Sequence, residues 1–248
     1  MLKYASDFEN TIEFTENCRR VLENKKSLRH LYGKFYSRIS EELIADGKTL
    51  EIGSGPGFLK EHVKDLVTSD SLGLSWIDIV FSANSIPFKP ETFHNIVLIY
   101  VLHHLNNIPE AIREMVRVLK PGGRLVILDH QLGFLSFLFM KFLHHEYFNP
   151  RDKDLCSGAI STKYSNTAIP YAIVQKDTAI WEENGLTLKK LKYHTLFSYL
   201  LSCGFKPVNL LPDRLIRPVE RFDELVADNR RGLSLLMTAV FEKKGTRD

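Results

Sequence analysis

The sequence predicts an α/β fold built on a mostly parallel sheet, and three observations carry that reading. Short apolar runs recur with little polar alternation: TLEIG, DLVTS, IDIVFSA, HNIVLIYVL and GRLVILD. Runs of this kind belong to strands covered on both faces. Helical patterns separate several of them, and the first run passes straight into a glycine-rich turn. Alternation of strand and helix places the helices on the faces of one sheet.

Taken in order, residues 8 to 46 carry apolar positions at helical spacing (Phe8, Ile12, Val21, Leu22, Phe35, Ile39, Leu43), broken by charges and by Gly33, which predicts two or three helices. Strands follow from Thr49, with a helix over Gly57 to Lys64 and another over Ile108 to Leu119. The second has Pro109 near its first turn and stops at Lys120-Pro121-Gly122-Gly123. Only Asp70 to Trp76 separate the second and third strands, too few for a helical crossover, so a loop is expected there. After Asp129 the pattern weakens. An aromatic stretch runs to Asn149, a polar segment holds Pro150, Gly158 and Pro170, a helix covers His194 to Ser202, and the runs FKPVNLL and LLMTAVFEKK read as a closing antiparallel pair.

Composition narrows the function. With 248 residues, 44% of them hydrophobic and 25% charged, the chain has the make-up of one large globular domain. The net charge of +3 comes without a basic tract, so no nucleic-acid partner is expected. Cys18, Cys156 and Cys203 are far apart and unpaired in pattern, and the first residues lack a secretion-signal core; a cytoplasmic location is the expectation. The run Leu132 to Leu143 contains Lys141 and is too short to cross a bilayer. His144, His145 and Glu146 with Asp152 and Asp154 match no standard ligand spacing, so no metal is expected.

The chemistry concentrates in Leu50-Glu51-Ile52-Gly53-Ser54-Gly55-Pro56-Gly57-Phe58. Glycines let a backbone turn tightly and approach a ligand. The third glycine arrives one residue too early for the dinucleotide fingerprint, whose sixth position is here Phe58, and no phosphate-loop motif is present. A strand-end glutamate before G-x-G-x-G resembles the first motif of the class I S-adenosylmethionine-dependent methyltransferases, and further matches follow over some 75 residues. Asp70 stands where the family's ribose-binding acid lies, and a carboxylate suits a diol. Ser82-Ala83-Asn84-Ser85-Ile86-Pro87-Phe88 resembles the adenine-contacting D-A-x-x-L-P-F segment, with Ser82 in place of aspartate. Val101-Leu102-His103-His104-Leu105 and Arg117-Val118-Leu119-Lys120-Pro121-Gly122-Gly123 are similar to motifs of the small-molecule, type 11-like branch.

The resemblance implies a Rossmann-like seven-stranded sheet with helices on both faces, its last strand antiparallel between the fifth and sixth. It implies S-adenosyl-L-methionine as cofactor, with Glu51, Gly53, Ser54, Gly55, Gly57, Asp70, Ser82, Ala83, Asn84 and Tyr100 as its binding set. It also implies one methyltransferase domain: N-terminal helices (1–48), a cofactor half (49–130), a cap and acceptor insertion after strand five (131–193), and a C-terminal helix with closing strands (194–248).

A sulfonium methyl is already activated, so catalysis is chiefly alignment. A hydroxyl acceptor adds a proton to remove, for which His103, His104 and Tyr100, just after strand four, are the candidates. The expected activity is methyl transfer to a small-molecule or lipid- or glycan-linked acceptor. The alternative is a fold-retaining binding or regulatory protein without turnover, suggested by Ser82 and by His94, which also stands where aspartate is common. Residues 132–148 are left with three readings: a core helix, a lid over the acceptor, or a helix at a membrane surface.

Overall fold

The computed structural model describes residues 11–142, 148–151 and 166–245. Two helices open the chain, α1 (Ile12–Asn24) and α2 (Lys26–Ser40). Thr11 caps α1 by accepting from the Phe14 N–H. Gly33 does not break α2 but lies inside it. The sheet follows: β1 (Thr49–Ile52), β2 (Leu66–Asp70), β3 (Ile79–Val80), β4 (Phe93–Ile99), β5 (Leu119–His130), β6 (Leu186–His194) and β7 (Leu236–Lys243). Among the described residues six further α-helices follow: α3 (Ile108–Val118), α4 (Phe134–Phe142), the short α5 (Ile169–Tyr171) and α6 (Ala179–Glu183), α7 (Phe197–Ser202) and α8 (Ile216–Val226).

The seven strands lie in the order β3-β2-β1-β4-β5-β7-β6, with β7 antiparallel to both neighbours, as the resemblance implied. Alternate side chains along the central strands enter two separate cores. Ile96, Leu98, Leu125, Ile127, Ala239 and Phe241 join α3 and Trp181 on one face. Val97, Val126, Leu128 and Val240 join α2 on the other. The period-two pleat is thus expressed as two apolar faces, each covered by helix.

Several expectations are corrected. The helix over Gly57 to Lys64 is only a 3-10 turn, Leu59–Glu61, because thirteen residues link β1 to β2 and five of them form the glycine turn. The third strand shrinks to Ile79–Val80. FKPVNLL is not a strand: its Val208 carbonyl, with those of Gly204 and Lys206, accepts from the Lys25 ammonium, and its Leu210 N–H donates to Leu201 O. The partner of β7 is instead Leu186–His194, inside the stretch assigned to the cap and crossing its 193/194 boundary. That edge strand was hidden by a register shift between Leu188 and Lys190 and by its lysines, which pair with Glu42 and Glu242. The helix expected from His194 starts at Phe197, since His194 ends β6 and Thr195 takes a left-handed φ of 62°. His144, His145, Glu146, Cys156, Asp152 and Asp154 lie outside the described residues.

Candidate active site

Gly53 and Gly55 adopt φ of 69° and 48°, the left-handed region in which a Cβ is strained. Neighbouring strands fix this turn: Ser54 N–H donates to Ser69 O at 2.8 Å, and Ser69 Oγ donates to Glu51 O at 2.7 Å. Asp70 closes it from the end of β2. One carboxylate oxygen accepts from Gly55 N–H at 2.9 Å and the other from Leu72 N–H at 3.0 Å. Each oxygen keeps lone-pair capacity for a further donor. Glu51 is buried beneath the turn, where Ser54 Oγ donates to it at 2.8 Å. Burial pushes its carboxyl up to about 7; the Ser54 bond opposes that and the nearby Asp70 charge adds to it.

The outer side of the turn is held by residues that the sequence did not single out. Arg19 of α1 donates to Gly57 O at 2.9 Å, and Trp76 Nε1 donates to Gly55 O at 2.9 Å. Tyr36 of α2 accepts from Phe58 N–H at 3.0 Å. The Arg19 guanidinium lies 3.9 Å from the Phe58 ring centroid and 4.5 Å from that of Trp76, while Arg29 lies 3.9 Å from Phe58. Phe58, which argued against a pyrophosphate loop, is thus the anchor of a cation–π stack. Nothing lies within 4 Å of where a Gly55 Cβ would stand, so there is open space beside the turn at this residue. An open glycine turn with a diol-matched carboxylate beside it fits an adenosyl ligand.

Ser82, Ala83 and Asn84 follow β3. Ser82 Oγ accepts from Asn84 N–H at 3.3 Å, and Asn84 Nδ2 donates at 2.6 Å to the carbonyl of Asn107, the N-cap of α3. Ala83 is buried. The segment is braced by α3, where Arg117 donates to Ile86 O and Phe88 O and Glu114 accepts from Ile86 N–H.

The end of β4 abuts the glycine turn so closely that a Cβ on Gly53 would come within 2.6 Å of Val101 Cγ2. Tyr100 takes a left-handed φ of 57°, strain of the sort that collects at functional sites. The 3-10 turn Leu102–His104 then buries His103 and exposes His104, their ring centroids 4.1 Å apart. His103 Nδ1 is 2.7 Å from Asp129 Oδ1. Asp129, fully buried at the end of β5, also accepts from Leu102 N–H and His130 N–H. Burial alone would raise its carboxyl, yet His103 and His130 hold it below the ordinary value. An ionised Asp129 accepts from Nδ1–H and assigns the basic lone pair of His103 to Nε2. The His130 ring is tilted against those of Tyr100 and His103, with centroids 5.3 Å and 5.1 Å away. His103, Asp129 and His130 present ligand atoms within 4.8 Å of one another. The short His103–Asp129 hydrogen bond orients the imidazole as a proton-handling dyad requires. The turn thus brings together Tyr100, His103 and His104, and adds Asp129 and His130, which sequence reasoning missed although an aspartate at the end of β5, the strand next to β4, was a visible signal.

This arrangement is that of the S-adenosylmethionine-dependent methyltransferase class. Residues 25–163 match the family model described as a methyltransferase domain, and the chain belongs to that family. It is 51% identical over 47 residues to the 2-phytyl-1,4-naphtoquinone methyltransferase of Thermosynechococcus vestitus, covering 19% of this chain and 21% of that one. It is 28% identical over 155 residues to the demethylmenaquinone methyltransferase of Bacillus licheniformis, covering 60% and 65%. The chain therefore spans less than two thirds of the length of these relatives. In fold it is similar to an S-adenosylmethionine-dependent methyltransferase of Archaeoglobus fulgidus, with a TM-score of 0.54 at 17% identity over 90% of this chain and 97% of that one.

Proposed function

We propose that the chain methylates an apolar, ring-hydroxylated small molecule, and that His103 removes the acceptor's proton. The observation that carries this is the buried His103–Asp129 pair at 2.7 Å on the turn that packs against Gly53. When bound, S-adenosylmethionine supplies an electrophilic methyl group. Gly55 and Asp70 hold the adenosyl end, with Ser82, Ala83 and Asn84 beside the base. Glu51 sits under the turn and favours a cationic ligand above it when ionised. The acceptor hydroxyl proton passes to His103 Nε2, and the Asp129 carboxylate stabilises the resulting imidazolium. Loss of that proton makes both the oxygen and the adjacent ring carbon nucleophilic. Tyr100 and His104 border the acceptor. Relatives named for naphthoquinone and demethylmenaquinone methylation support an aromatic acceptor.

The test is transfer of radiolabelled methyl to a panel of hydroxylated naphthoquinols and phenols, with Asp129→Asn compared. We expect kcat to fall about 10²-fold or more with cofactor affinity unchanged. Undiminished turnover in the variant would remove the dyad from the reaction. Tight cofactor binding with no turnover on any acceptor would favour the binding-protein reading.

A further inference from the structure

We propose that α4 and α8 form a docking surface for an anionic lipid bilayer. Ten large apolar side chains are exposed among the described residues, and eight fall in two segments: Phe134, Leu138 and Phe142 of α4, and Val208, Leu210, Leu215, Phe222 and Leu225 in and before α8. Chance scatter would not group them so. On α4 the three sit at i, i+4 and i+8, opposite the buried Ser136 and Met140, and Phe134 and Phe142 are 71% and 67% exposed. On α8, Phe222 and Leu225 share with Arg221 the side opposite the buried Ile216 and Asp223.

The two helices meet at one corner. Leu135 N–H, in the first turn of α4, donates to Gly232 O, and Gln131 Nε2 donates to Arg231 O, both in the turn after α8. Both helices border the same core, through Leu135 and Phe139 of α4 and through Ala227 just after α8.

Charge selects the occupant. The acids of this region turn inward onto α2: Glu220 pairs with His30 and Lys34, Glu224 with Lys34, Asp213 with Lys26 and Asp228 with Arg38. Among the described residues no carboxylate pairs with Arg214, Arg217 or Arg221, and all three are exposed. Lys141 flanks the α4 row, and Arg230 and Arg231 lie where α4 starts. Apolar rows rimmed by cations that pair with no carboxylate among the described residues are complementary to acyl chains below a layer of anionic headgroups.

Co-sedimentation of the full chain with phosphatidylcholine vesicles, with and without phosphatidylglycerol, tests it. We expect binding to the anionic vesicles, weakened by salt, and lowered roughly tenfold or more by Phe134→Ser/Phe142→Ser and by Arg217→Glu/Arg221→Glu. Ile12→Ser, which removes an exposed apolar residue on α1, should leave it unchanged. Thermal melts show that each variant is folded. Failure of the folded wild type to bind anionic vesicles, or undiminished binding by both double variants, overturns the proposal. So does a concentration-dependent dimer, seen by light scattering, that the same substitutions disperse, since the face would then be a self-association surface.

Discussion

Glu51 and His194 are buried titratable groups with opposite consequences. Glu51 has a folded value near 7, raised above the ordinary carboxylate value by burial, so its stabilising contribution is complete below about pH 4.5 and is lost as pH rises through 7. Glu51→Gln keeps an acceptor for Ser54 Oγ without the charge. Its melting temperature should exceed that of the wild type above pH 7 and converge with it near pH 4.5; a pH-independent difference would contradict the account. His194 behaves in the reverse sense. Burial, with Arg38, Lys192 and Lys34 nearby, lowers it to about 3, while Arg38 donates to its Nδ1 at 2.9 Å. The stability it supplies is present above pH 6.5 and is lost as pH falls toward 3, on the order of 3 kcal/mol between pH 7 and pH 4. Denaturant titrations of His194→Gln should show a shallower acid limb, and an unchanged limb would exclude this histidine as its source.

At the scale of elements, what could be read from the sequence follows the strength of each local pattern. β1, β4, β5 and α3 were legible because doubly buried strands and a capped amphipathic helix leave unbroken signatures. β6 was not, since its alternation breaks at the shift near Lys189 and its outer face is lysine-rich. FKPVNLL has strand-like residues, yet its Lys206 and Val208 carbonyls are spent on Lys25, 181 and 183 residues distant in sequence. The site divides in the same way. Gly53, Gly55 and Asp70 were legible as motif, whereas Arg19, Tyr36 and Trp76 act through backbone carbonyls and amides that no spacing rule marks. Trp181, from the short α6, stacks on Phe241 of β7 at 4.3 Å and donates to Ile173 O at 2.9 Å. Trp181→Ala should cost ~3–5 kcal/mol in chemical denaturation, through the cavity it leaves and the carbonyl it orphans. A loss below 1 kcal/mol would show that the cap-side helices are not locked to the sheet.

For the molecule as a whole, the sheet order brings the ends of β1, β2 and β4 together, so that the segments after β2 and β4 meet the glycine turn that follows β1, and β5 adds Asp129 beside the segment after β4. Ligand sites in open α/β sheets form at such carboxyl ends, and here Val101, just before the turn that carries His103, packs against Gly53. No described helix is long and apolar enough to cross a membrane. Asp70, which accepts from Gly55 N–H, is the residue proposed to tie the glycine turn to a ribose. Calorimetric titration of the protein and of Asp70→Ala with S-adenosylhomocysteine tests this most directly. The account predicts a dissociation constant on the order of micromolar for the wild type, weakened at least roughly tenfold in a variant that still melts cooperatively. Equal affinity in both proteins, or no binding by the folded wild type, would contradict it.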